Sequence, residues 1–227
     1  MEALKIYTNE YAEDKLLKLG LNNENITFAI SSAISDSFRS SPLHPRIDAM
    51  SRAWREAVAA FRESVLLNDN GWTCIRSDSL ELTVNSELGI SVIITSGDKD
   101  TGLIDGNPRT KNAKGNAVRR AVEKNNYNLE LFPSNDVFDD NFDELEAISA
   151  LDPTKTYVLL YYFDFSSKEV RCELSLPKEM TKFSSYNKID TWSERIIITP
   201  VSFDNANPSI FNEEEFTDDF DIQISKK

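Results

Sequence analysis

Histidine is all but missing from this chain of 227 residues, with His44 its only copy. A zinc site built from several imidazoles is therefore excluded, and so is a nuclease that needs paired histidines. A Ser-His-Asp triad would have to use His44, which sits in the Pro42–Pro45 break, and no G-x-S-x-G nucleophile elbow occurs anywhere. His44 reads as a loop or helix-cap residue. Cysteine is nearly as scarce. Cys74 and Cys172 each lie among apolar neighbours in strand-like sequence. That pattern predicts two buried reduced thiols rather than a disulfide, and with them a cytoplasmic protein. No apolar run approaches the roughly 18–20 residues of a membrane span. The longest runs only from Tyr157 to Phe163. The N-terminal MEALKIYTNEYAEDK has no basic lead followed by an apolar core, so no secretory signal is expected. Rossmann, kinase and zinc-ribbon signatures are absent as well.

Glycine is scarce too, and it is unevenly placed. Four of the seven glycines (Gly97, Gly102, Gly106, Gly115) fall in GDKDTGLIDGNPRTKNAKGNAVRR, from Gly97 to Arg120. Six basic residues there (Lys99, Arg109, Lys111, Lys114, Arg119, Arg120) outnumber three acids (Asp98, Asp100, Asp105), a local +3 in a chain of formal charge −13. So acidic a chain has no broad electrostatic affinity for nucleic acid, because phosphate binding depends on Lys and Arg displacing counterions. A flexible, basic, glycine-rich segment within it is where a phosphate or an acidic partner would be held.

What the chain does contain is enough apolar sequence for a sizeable core: 40% of residues, with 13 Phe, 7 Tyr and 3 Trp. The first third has helical spacing. Asn9 is placed to cap a short helix ending at Gly20. Ile26, Ile30, Ile34 and Phe38 recur every four residues, with Asn23 or Asn25 as cap. After SSPLHP, a second long helix carries Ile47, Met50, Trp54, Val58, Phe61 and Val65 on one stripe. At Asn70-Gly71 the period drops to two. WTCIRS, LELTV and ISVIITS read as successive strands. Tyr127 to Phe132 is a further strand candidate, and YVLLYYFDF has the continuous apolar character of a central strand. The next strand alternates Val170, Cys172, Leu174 and Leu176 with Glu169, Arg171, Glu173 and Ser175, which predicts one buried and one solvated face. RIIITPVS is the last strand.

This order predicts an α+β fold, with an N-terminal helical pair on one face of a mainly antiparallel sheet of about six strands. Residues 1–70 form the helical region. Residues 71–203 form the β region with the 97–120 loop, packed as one domain with the helices. Residues 204–227 form an acidic tail, expected to be disordered or loosely docked.

The strand-then-glycine order before Gly97 and Gly102 has P-loop spacing, but Leu103 and Ile104 stand where Lys-Ser/Thr is required. A looser site survives where TKNAKGN leads into a helix. There Arg109, Lys111, Lys114, Gly115, Arg119 and Arg120 are the candidates for holding a phosphate, nucleotide or nucleic-acid backbone. The opposing reading has these charges neutralising the acidic stretch nearby within the same chain. Metal ligation is a weaker alternative. Asp98 and Asp100 lack an EF-hand frame, because Gly102 takes the third ligand position. Asp164 and Glu173 flank a hairpin as nuclease carboxylates do, but Glu169-Val-Arg171 has no lysine, and arginine does not release its proton. Phe183, Tyr186 and Trp192 are candidates for stacking or for packing onto the sheet.

The leading expectation is therefore a non-enzymatic acidic interaction protein of bacterial or phage type, with no cofactor. Its surface at Asp136, Asp139, Asp140, Asp143 and Glu144 would engage a basic protein, one that itself handles nucleic acid. The alternative is a phosphate-ligand or nucleic-acid-handling protein, a divergent metal-dependent phosphodiesterase centred on the 97–120 loop.

Overall fold

The computed structural model describes residues 3–67, 70–77, 80–126, 155–183 and 186–205. Among these, four α-helices and seven strands occur, so the α+β expectation holds with one strand more than foreseen. The extra strand is β1 (Lys5–Tyr7), a short piece that pairs parallel with the last strand. Helix α1 (Asn9–Lys18) follows, with Thr8 rather than Asn9 at its N-cap, and ends at Gly20 in the left-handed region (φ +64). Helix α2 (Asn23–Ser37) has a capping box between Asn22 and Asn25, so the cap falls one residue before the expected pair. Helix α3 (Asp48–Leu66) starts after the proline break and packs on α2.

Strands β2 (Trp72–Ser77), β3 (Leu80–Asn85) and β4 (Ile90–Ser96) form the expected antiparallel meander. The 97–115 segment and helix α4 (Asn116–Lys124) come next. Strand β5 (Lys155–Asp164) lies parallel to β4, so α4 belongs to a crossover connection. Strands β6 (Glu169–Phe183) and β7 (Tyr186–Ser202) form a long antiparallel hairpin. Pro177 does not end β6. The ladder shifts register on both sides of it, as a residue without an N–H requires, and the strand continues. The sheet order is β1-β7-β6-β5-β4-β3-β2. This places β5 in the middle, and its residues from Tyr157 to Leu160 are buried on both faces.

Each face of the sheet has its own core. Val92, Leu159, Cys172, Leu174 and Ile196 pack with Leu16, Ile26, Ile30, Ala53 and Phe61 from α1, α2 and α3. On the opposite face Ile93, Val158, Leu160, Ile189 and Trp192 pack with Val118 and Val122 of α4. Helices therefore cover both faces, where the sequence predicted only one. No helix among the described residues is long and apolar enough to cross a membrane.

The Tyr127–Phe132 strand candidate and the acidic residues Asp136, Asp139, Asp140, Asp143 and Glu144 lie outside the described residues, as does the tail from residue 206. Phe203 to Asn205 form a 3₁₀ turn after β7. The cysteines are free, but unlike: Cys172 is buried in the middle of the sheet, whereas Cys74 is exposed on the edge strand β2.

Candidate functional site

Alternation along β6 puts Arg171, Glu173 and Ser175 on the face opposite Cys172 and Leu174. Arg195 of β7 reaches the same face. That face is not solvated. Glu173 is 0% exposed and Arg195 1%, and their side chains form an ion pair with Arg195 Nη2 at 2.6 Å and Nε at 3.0 Å from the two carboxylate oxygens. The expected solvated face fails because alternation reports only which way a side chain points. The 97–110 loop folds back over this one.

The loop docks mainly through its backbone. Arg195 donates to the carbonyls of Gly106 (2.7 Å) and Leu103 (2.9 Å), and Arg171 to that of Lys99 (2.9 Å). Gly102 N–H donates to Glu173 at 2.8 Å. Trp192 Nε1 donates to Pro108 O at 2.8 Å, so this tryptophan packs onto the fold. Phe183 and Tyr186 form the last register pair of the hairpin. Thr110 N–H reaches Ile189 O on β7, and Lys111 N–H reaches Ser96 O on β4. Gly102 has φ +73, and a β-carbon there would meet Arg171 Cβ at 2.9 Å. The glycine is needed for close approach to β6, not for flexibility. The segment expected to be flexible is thus fixed in place by buried charge.

The candidate metal ligands are committed elsewhere. Asp98 accepts from Asp100 N–H and from the N–H and Nε of Arg109. Asp164 accepts from Ser166 and Ser167 and pairs with Arg171 at 3.2 Å. Its burial pushes the pKa up, but these donors outweigh that and hold the carboxyl below its ordinary value. Glu173 accepts from Arg195, Gly102 and Ser175. Asp164 and Glu173 therefore serve different arginines. Among the described residues no group of three His, Cys, Asp or Glu is placed to hold a metal ion. The Ser41 hydroxyl does lie 2.8 Å from His44 Nδ1, but the backbone N–H of Ser41 donates to the same nitrogen at 3.0 Å. This is an exposed turn closed by His44 N–H to Ser41 O, and His44 is a loop-cap residue as expected.

Of the basic candidates, Lys114 stands out. Its ammonium donates to Thr95 Oγ1 at 2.6 Å, and its backbone N–H is fixed to Asn187 O. Burial lowers its pKa to about 8, with no acid acting against that shift. Arg109 is half-exposed and paired with Asp98, while Lys111 and Arg120 are exposed and Arg119 intermediate. Gly115 caps α4 without a side-chain bond, in open space.

At the far end of α4 the chain is closed on itself. Asn125 accepts from Thr156 N–H (2.8 Å) and donates to Thr156 O (3.0 Å) and Pro177 O (3.1 Å). Asn126 also donates to the Lys178 carbonyl. The residues on either side of 127–154 are therefore held side by side. That stretch carries eight acids and no base, and residues 206–227 carry six acids and two lysines. Together these (−8 and −4) hold −12 of the formal −13, leaving the remainder of the chain at −1.

Sequence reasoning missed Arg195, Thr95, Asn125 and Thr156. Only Arg195 left a signal, as a charge opening the apolar run RIIIT. No family model, no curated protein and no solved structure was found to match this chain.

Proposed function

We propose that this is a non-enzymatic interaction protein that binds a basic protein through the acidic segments 127–154 and 206–227. The observation that carries this reading is the segregation of charge: two segments hold −12 of −13, while the rest is nearly balanced. Two features support it. The carboxylates that might have served a metal-dependent reaction, Asp98, Asp164 and Glu173, are engaged by arginines of the fold. The larger acidic segment leaves and rejoins the fold at one point, where Asn125 grips Thr156. An insertion with adjacent ends adds a binding element with little demand on the core. Clustered negative charge speeds encounter with a basic partner and makes binding salt-sensitive.

The test compares the full chain with two variants. One replaces 127–154 by a short Gly-Ser linker. The other carries Asp136→Asn, Asp139→Asn, Asp140→Asn, Asp143→Asn and Glu144→Gln. The linker variant should keep its unfolding midpoint within about 1 kcal/mol of the parent, since closing a loop whose ends are already together changes little. Affinity capture from cell extract should return a stoichiometric basic protein with the parent, lost at high salt and with both variants. Capture unaffected by neutralisation, or recovery of nucleic acid alone, would defeat the reading.

A further inference from the structure

The turn between α2 and α3 exposes two large apolar side chains, Leu43 (96%) and Ile47 (70%). Backbone bonds from His44 N–H to Ser41 O and from Asp48 N–H to Pro45 O fix that turn. Trp54 stands two helical turns beyond Ile47 on the same side of α3, and it too is exposed. Ile47 and Trp54 thus mark a stripe about 10 Å long, with Leu43 at its head. From residue 39 to residue 55 the exposed charges are all arginine: Arg39, Arg46 and Arg55. By helical spacing Arg46 and Arg55 flank the stripe on either side. The acids nearby face other groups, since Asp36 and Asp48 both meet Arg52, and Asp36 also meets Arg39.

Place in the fold indicates what covers this stripe. Trp54 Nε1 donates to Ile94 O at 3.0 Å, so the stripe stands toward the carboxyl end of β4. Strand β5 is parallel to β4, and near its carboxyl end Phe163 and Phe165 pack with Phe203. Phe203 also meets Phe38, the C-cap of α2, with ring centres 5.4 Å apart. The chain therefore passes into residues 206–227 at the same end of the sheet as the stripe, beside the helix that leads into it. Segment 127–154 leaves and rejoins at the opposite end, where Lys155 pairs with Ile90.

The sequence of 206–227 matches the stripe in chemistry and in length. Phe216, Phe220 and Ile224 recur every four residues, the spacing of an apolar helical face about 12 Å long. Glu214, Glu215, Asp218, Asp219 and Asp221 fall off that face and are opposite in sign to the three arginines. Residues 206–215, which separate Asn205 from Phe216, can span up to about 33 Å.

We propose that residues 206–227 dock on their own fold, with Phe216, Phe220 and Ile224 on the Leu43–Ile47–Trp54 stripe and the carboxylates beside Arg39, Arg46 and Arg55. This is an amphipathic segment laid on an apolar face. It goes beyond the partner reading. A basic partner has to compete with these arginines for the same carboxylates, so docking regulates access to the C-terminal acids.

The experiment measures acrylamide quenching of tryptophan emission in the full chain, with no partner present. Trp72 and Trp192 are each 5% exposed, so Trp54 supplies most of the quenchable signal, and Trp54→Phe checks that share. Phe216→Ser, Phe220→Ser and Ile224→Ser together should raise quenching several-fold, because they remove the cover. Arg39→Gln, Arg46→Gln and Arg55→Gln together should raise it by a smaller factor, as should high salt in the unaltered chain. Quenching unchanged by the serine substitutions overturns the proposal. So does a rise that appears instead on replacing 127–154 by linker, which makes that segment the cover. A rise on diluting the unaltered chain overturns it too, by making a second copy's segment the cover. The serine substitutions keep every acid of 206–227. Unchanged quenching with partner capture intact therefore defeats docking alone, and lost capture with the quenching rise present defeats the partner reading alone.

Discussion

Cys172 and Glu173 are adjacent on β6 and both are 0% exposed, yet they live under different rules. Cys172 faces the helices. Burial, and secondarily the neighbouring Glu173, pushes its thiol up to about 12, so it behaves as a small apolar group among Leu174, Ile196 and the residues of α2 and α3. Glu173 faces the loop. A buried carboxylate has to be matched in charge and in hydrogen bonds, and the matching groups are Arg195, Ser175 and the Gly102 amide. The helical face is assembled by apolar area, which tolerates many arrangements of similar volume. The loop face is assembled by directional bonds. Those bonds determine where residues 97–110 lie.

The largest effect separating the two faces should come from Arg195→Met. It strands Glu173 and leaves the carbonyls of Leu103 and Gly106 without their donor, at a cost of about 3–5 kcal/mol. Adding Glu173→Leu should recover much of that in urea unfolding, since apolar replacement of a whole buried pair is often neutral. A double variant as unstable as the single one would mean that the loop carbonyls, not the ion pair, carry the face.

A smaller effect contrasts two glycines of the same loop. Gly102→Ala forces a left-handed backbone angle on an L-residue and crowds Arg171, which should lower stability by about 1–3 kcal/mol. Gly115→Ala meets nothing and has φ −78, so its midpoint should move by less than about 1 kcal/mol. Equal losses at both positions would show that the 97–115 segment is not fixed as described.

The smallest effect concerns Lys114. Its folded-state pKa is lowered to about 8, below the unfolded value near 10.5. Between those values the unfolded chain binds more protons, so this residue's contribution makes the protein more stable as pH rises. Lys114→Met should remove that rise. It should also raise the melting temperature slightly near pH 7, where the parent keeps a desolvated ammonium. A variant with an unchanged pH profile would place Lys114 in contact with water.

Much of the secondary structure was readable in the chain. The Ile26–Phe38 stripe, the helix after the proline break, the strands from Trp72 to Ser96 and the apolar run of β5 each formed, but Ile47 and Trp54 of the expected second stripe are exposed, and Ala49, Ala53 and Ala57 fill the buried face of α3 with Val58, Phe61 and Val65. The site was legible only in part. Lys114 was singled out because it lies in a basic, glycine-rich stretch, but nothing near it in sequence indicated Thr95. Glu173 was assigned to solvent, since its partner Arg195 is 22 residues away and its cover comes from a segment 71 residues earlier. Asn125, an unremarkable polar residue at the end of a short helix, gave no sign that it joins Thr156 across 31 positions.

By itself the sequence determined the elements and the sign of each region's charge, because period, propensity and formal charge are properties of short stretches. It determined too that two acidic segments stand apart from a nearly balanced remainder. Only the tertiary structure decided which polar residues are buried, which cations have partners and which distant ends meet. Those outcomes depend on hydrogen-bond demand between strands and loops far apart in the chain, and a buried charge accepts whichever matching group the fold brings to it.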